Sequence, residues 1–90
     1  KLKIIHENSN KKNIVYLESV LLIRFFYDQE EYEDEWIKIT GKYFPNLNSP
    51  IKEITINSPL GKALYLKKIG SKVKYVANQK DLQVEILEKR

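Results

Sequence analysis

Six carboxylates fall within eight residues, in the run DQEEYEDE: Asp28, Glu30, Glu31, Glu33, Asp34 and Glu35. Such a cluster invites a magnesium reading, because magnesium takes carboxylates, water and phosphate in a fixed octahedral shell. Clustered like charges repel one another and seek water, however, so the run reads as a solvated hairpin tip. No metal is assigned to it. His6 stands without a cysteine or a second histidine to share a metal. Ser58 has no recognisable base to activate it as a nucleophile. The residue types that remain in a suggestive pattern are those of a binding surface.

That pattern lies in INSPLGKALYLKKIG, Ile56 to Gly70. Ser58 is a strong helix N-cap type, since its hydroxyl can accept a bond from an orphan N–H of the first turn. Pro59 suits the first helical position, where its missing N–H is not needed. Leu60, Ala63 and Leu64 at i, i+3 and i+4 predict one buried stripe. Lys67 and Lys68 are expected near the negative end of the helix dipole, with Gly70 as terminator. From Ile54 to Lys80 there are six lysines (62, 67, 68, 72, 74 and 80) and no acid. One end of the domain should therefore carry a positive field that favours an acidic partner surface or phosphate.

The elements that position this turn are strands. Asn13 to Tyr27 is rich in β-branched and aromatic residues. Leu21, Ile23, Phe25 and Tyr27 alternate onto one face, and Val20, Leu22, Arg24 and Phe26 onto the other. A return strand is expected at Trp36–Thr40, with Ile37 and Ile39 inward. GKYFPNLNSP, with Pro45 and Pro50, reads as a loop. Lys52–Asn57 forms a third strand. After the helix, Val73, Tyr75 and Ala77 alternate in one strand and Leu82, Val84 and Ile86 in another, joined by a turn at NQKD. The order β-β-β-α-β-β predicts an α+β fold: a twisted, mostly antiparallel sheet of about five strands with one short helix packed on it.

Ninety residues with 42% apolar content support a single domain with one core. Without cysteine there is no disulfide framework, which suits the cytoplasm. The longest apolar run, Ile14 to Tyr27, is too short for a bilayer and carries Glu18 and Arg24, so no membrane partner is expected. No signal peptide is recognised, because Ile4-Ile5 is followed at once by polar residues. The chain has no methionine and begins at Lys1. It reads as part of a longer protein, with residues 1–13 a linker and residues 14–90 the domain.

ITINSPLGKALYLKKIGSKVKY resembles the C-terminal domain of the bacterial transcription elongation factors GreA/GreB. That family shows a strand, Ser-Pro, a short helix of the form Leu/Ile-Gly/Ala-Arg/Lys-Ala-Leu, then Gly-Lys-Lys, Val-Gly-Asp and a basic strand. LKIIHE, VYLESVLLIRF and EWIKITG resemble the family's upstream segments, so the likeness runs through essentially the whole chain. The departures are Glu18 in place of a Gly, Leu66 where the helix often ends in Gly, Ser71 for an Asp, and His6 where an acid is common.

The resemblance implies an FKBP-like fold and an anchoring function. In the family this domain holds the factor on RNA polymerase, against the largest subunit at the rim of the secondary channel. An N-terminal coiled coil, with magnesium-binding acids at its tip, promotes cleavage of backtracked RNA. No segment here has long heptad character, so the cleavage residues are not expected in these 90 residues. The chain is then an accessory factor, not an enzyme, with no cofactor of its own. The implied polymerase contact is Asn57, Ser58, Pro59 and Leu60, flanked by Lys62, Lys67 and Lys68. Two other functions fit less of the sequence. One is a non-cleaving Gre-like regulator of the nucleoside-diphosphate-kinase-regulator type. The other is an FKBP-type prolyl isomerase, whose helix would carry a tryptophan where this one has only Tyr65. Nucleic acid is expected to bind weakly and without sequence preference at most.

Overall fold

The computed structural model describes residues 13–28, 30–42, 44, 46 and 48–90. The linker reading of residues 1–13 and the position of His6 therefore lie outside the described residues, Asn13 excepted. Five strands and one helix follow in the order β1 (Val20–Phe26), β2 (Tyr32–Thr40), β3 (Lys52–Thr55), α1 (Pro59–Leu64), β4 (Lys72–Ala77) and β5 (Lys80–Lys89). They form one sheet with the strand order β3-β2-β1-β5-β4. The β1–β2, β1–β5 and β4–β5 pairs are antiparallel, and β2–β3 is parallel. The expected α+β architecture is present, with one parallel pair in it.

The strand order explains both the loop and the helix. A parallel connection cannot be closed by a tight hairpin, so the chain from β2 to β3 makes the long loop read in the sequence. It then leaves β3 at one edge of the sheet and enters β4 at the other. α1 lies on this crossing and packs mainly on β4. Leu60 and Leu64 land on the face built by Leu21 and Ile23 of β1, Ile37 and Ile39 of β2, Val73 of β4, and Val84 and Ile86 of β5. All ten core residues are aliphatic, and Val15 from the segment before β1 completes them. Each such side chain taken from water contributes roughly 1.5–3 kcal/mol before chain entropy is counted.

Several boundaries differ from the sequence reading, each for a local reason. The strand expected from Asn13 starts only at Val20. Tyr16–Ser19 is a tight turn in which Ser19 Oγ accepts from Tyr16 N (3.0 Å), Ser19 N donates to Tyr16 O (3.1 Å), and Glu18 has φ 69°. The acidic run is only half a tip. Asp28 Oδ1 accepts from Glu30 N and Glu31 N (2.7 and 2.8 Å), while Tyr32 to Glu35 already belong to β2. Cross-strand partners hold them there: Asp34 faces Arg24 and Glu33 faces Phe25. Tyr27, expected to share a strand face with Leu21, Ile23 and Phe25, lies past the end of β1 and is 64% exposed. At the far hairpin Asn78 and Gln79 both have positive φ (53° and 65°), as a two-residue turn between right-twisted strands requires.

Gly70 does not end the helix. Its φ of 95° makes it the first residue of a β-bulge: Gly70 N donates to Ile86 O (2.7 Å) and Ile86 N to Ser71 O (3.0 Å). Helix α1 stops at Leu64, and the left-handed residue after its cap is Leu66 (φ 65°). Lys67 and Lys68 are thus beyond the helix, and Lys62 is the basic residue of its last turn.

Candidate functional site

The turn leading into α1 is built by one serine. Ser58 is extended (φ −77°, ψ 159°); its Oγ accepts from Gly61 N (3.0 Å) and donates to Thr55 O (2.8 Å). Ser58 N also donates to Thr55 O (3.1 Å), and Lys62 N donates to Ser58 O (2.9 Å). The hydroxyl is committed as donor and acceptor to backbone groups, which is capping geometry and not that of an activated nucleophile. Gly61 lets the helix lie directly on the end of β3. A Cβ there would overlap the Thr55 carbonyl oxygen and stand 2.7 Å from its carbon and 2.9 Å from Ile56 Cα.

Of the expected contact residues, Asn57, Pro59, Lys62, Lys67 and Lys68 are exposed and Ser58 is half-buried. Leu60 is the exception. It is 9% exposed and belongs to the core, so its side chain serves packing and is unavailable to a partner. The turn therefore projects at the start of the helix, Lys62 from its last turn, and Lys67 and Lys68 beyond its end.

The far end of α1 is stitched to the segment before β1. Leu66 N donates to Val15 O (2.8 Å), Val15 N to Lys67 O (2.9 Å) and Ile69 N to Asn13 O (2.8 Å). This brings Tyr65, at the helix C-cap, beside Tyr16 and Leu17. With Lys89 and Arg90 they line a hollow of about 480 Å³. Lys89 Nζ donates to Ile14 O (2.9 Å) and lies 5.6 Å from the Tyr16 ring centroid. Leu17 and Leu66 remain 44% and 53% exposed. Sequence periodicity did not assemble this corner. The one signal for it was leucine standing where the resembled family often has glycine.

Away from this corner, β1 and β2 share an ion pair. Arg24 Nε and Nη2 donate to the two oxygens of Asp34 (2.8 and 3.0 Å), and its guanidinium lies 4.0 Å over the Tyr32 ring. The guanidinium holds the Asp34 carboxyl below its ordinary range, and the carboxylate raises Arg24 in turn. Tyr27 donates to Glu33 (2.7 Å), which raises the phenol, and burial raises Tyr75. Among the described residues no group of three or more His, Cys, Asp or Glu is placed to hold a metal. Trp36 sits on β2 with the Arg90 guanidinium 4.5 Å over its ring. Two larger surface grooves, about 640 and 680 Å³, are lined by no residue of α1. No described helix is long and apolar enough to cross a membrane.

With this geometry in place, the comparisons with known proteins fall into line. Gfh1 of Thermus aquaticus superposes with a TM-score of 0.68 at 17% identity, over 86% of this chain and 48% of that one. GreA factor homolog 1 (Gfh1) of Thermus thermophilus gives 0.68 at 18% identity, over 88% and 49%. A prokaryotic transcription elongation factor GreA/GreB from Nitrosomonas europaea gives 0.61 at 20% identity, over 87% and 61%. The chain thus spans about half the length of the two Gfh1 structures, and at these identities the likeness is one of fold. No curated protein sequence matches significantly. The family profile described as "Transcription elongation factor, GreA/GreB, C-term" matches residues 10–89, and the chain therefore belongs to the GreA/GreB C-terminal domain family.

Proposed function

We propose that this domain anchors a Gre-type elongation factor on RNA polymerase, at the rim of the secondary channel, in the cytoplasm. The observation that carries the reading is the family match over residues 10–89 together with an exposed, rigidly capped Asn57-Ser58-Pro59 turn. Lys62, Lys67 and Lys68 flank it and speed approach to an acidic surface, while individual exposed lysines add little affinity each. The domain is an accessory factor; RNA cleavage belongs to the polymerase and to a helical hairpin not among the described residues.

The test is binding of the chain to bacterial core RNA polymerase by biolayer interferometry at two salt concentrations. Ser58→Ala with Pro59→Ala should weaken binding about tenfold while circular dichroism shows a folded domain. Lys62→Glu, Lys67→Glu and Lys68→Glu together should weaken it more at low salt than at high salt. Undiminished binding by both folded variants would overturn the assignment of the surface. Absence of binding by the unaltered chain would overturn the function.

A further inference from the structure

Leu66 combines two unfavourable features. Its φ of 65° is a conformation that disfavours a side chain, by the same steric clash that disfavours left-handed helices. Its side chain is 53% exposed, so the core recovers little from having leucine there. The backbone is held in place regardless of side chain, by Leu66 N to Val15 O (2.8 Å) on one side and Lys67 N to Leu64 O (3.1 Å) on the other. Glycine would satisfy every one of these bonds without the clash. A large apolar side chain kept at a strained and exposed position motivates a role for it outside the domain.

The surroundings name the kind of surface it meets. Tyr65, its neighbour in the chain, lines the hollow with Tyr16 and Leu17, and Leu17 is itself 44% exposed. Lys67 and Lys68 follow directly in the chain, and Lys62 stands at the last turn of α1. The nearby acid, Glu18, is already paired with Lys38 (3.1 Å). An apolar centre with a basic rim complements an apolar recess bordered by carboxylates.

We propose that Leu66 is the apolar anchor of the docking surface, inserting into a recess of an acidic protein surface on the polymerase. This rests on the polymerase-binding reading and assigns it a central residue outside the Ser-Pro turn. Anchors of this kind dominate affinity because they are fully desolvated on binding, whereas rim charges are not.

Two variants preserve the left-handed backbone and remove the anchor: Leu66→Gly and Leu66→Asn, the latter because asparagine tolerates this conformation. Leu66→Met keeps an apolar side chain. Affinity for core RNA polymerase is measured by interferometry and folding by thermal unfolding. The expected result is a loss of about tenfold or more for Gly and Asn, mostly in the dissociation rate. Leu66→Met should stay within about threefold of the unaltered chain, since volume-conserving apolar swaps are tolerated best. Unchanged affinity in folded Leu66→Gly and Leu66→Asn, alongside weakened binding by the lysine reversals, would overturn the anchor and leave the docking reading standing. If the unaltered chain does not bind, the function falls and the anchor with it.

Discussion

Replacing Gly61 by alanine tests whether the capped turn is held by close backbone packing. In an exposed helix interior the change gains about 1 kcal/mol, because alanine is the better helix former. Here the added carbon meets only backbone: it overlaps the Thr55 oxygen and stands 2.7 Å from Thr55 C and 2.9 Å from Ile56 Cα. Ordinary contact begins at 3.4 Å, so β3 and α1 must separate. The Thr55 carbonyl is also the acceptor for both Ser58 N and Ser58 Oγ, and separation weakens both bonds. Each is worth about 1 kcal/mol, and overpacking adds about 1–3 kcal/mol. Against the propensity gain, the net loss is about 2 kcal/mol or somewhat more. That lowers the melting temperature by roughly 8–16 °C in a domain of this size.

The assay is urea and thermal unfolding followed by circular dichroism. Gly41→Ala is the matched comparison. Its Cβ would approach only the Leu17 side chain, at 3.3 Å, and a side-chain end can yield. Gly41→Ala should change stability by less than about 1 kcal/mol. If Gly61→Ala proves as stable as the unaltered chain, or more so, the close packing of α1 on β3 is refuted. The structural basis of the rigid turn is then refuted with it.

Gln79→Gly should stabilise the domain. It relieves a φ of 65° worth about 1–2 kcal/mol, less about 0.5–1 kcal/mol for glycine's added freedom when unfolded. A rise of a few degrees in melting temperature is expected, and a fall would contradict the two-residue turn. Acid should destabilise through Asp34. Its folded pKa lies below the unfolded value, so its contribution is complete above the ordinary carboxylate range and is lost as pH falls through the folded value. Asp34→Asn should flatten the acid limb of unfolding midpoints measured between about pH 6 and 2. An unaltered limb would show that the exposed Arg24 pair is energetically silent.

The local features of the site were legible in the sequence because their causes are local. A serine three residues before the N–H it caps, followed by proline, needs no tertiary information, and Ser58 bonds to Gly61 as expected. Alternation placed Leu21, Ile23, Ile37, Ile39, Val84 and Ile86 in the core, since a half-buried strand has a period of two. The strand and helix order, and so the fold class, followed from the same patterns.

What those patterns could not decide was which distant segments meet. The acidic run looked like loop because its charges repel, yet half of it became β2, with Arg24 across the ladder pairing Asp34. Leu60 carried two expectations, a place on the buried stripe of the helix and a place in the partner contact, and the assembled core took it. Gly70 looked like the helix terminator on residue type alone. The left-handed residue is instead Leu66, because bonds to Val15, far away in the chain, fix its backbone whatever side chain it bears. Capping and periodicity act over a few residues and are written in order along the chain. The corner where Leu66 meets Val15 joins residues from distant parts of the domain, and only the free energy of the assembled sheet and core selects that meeting.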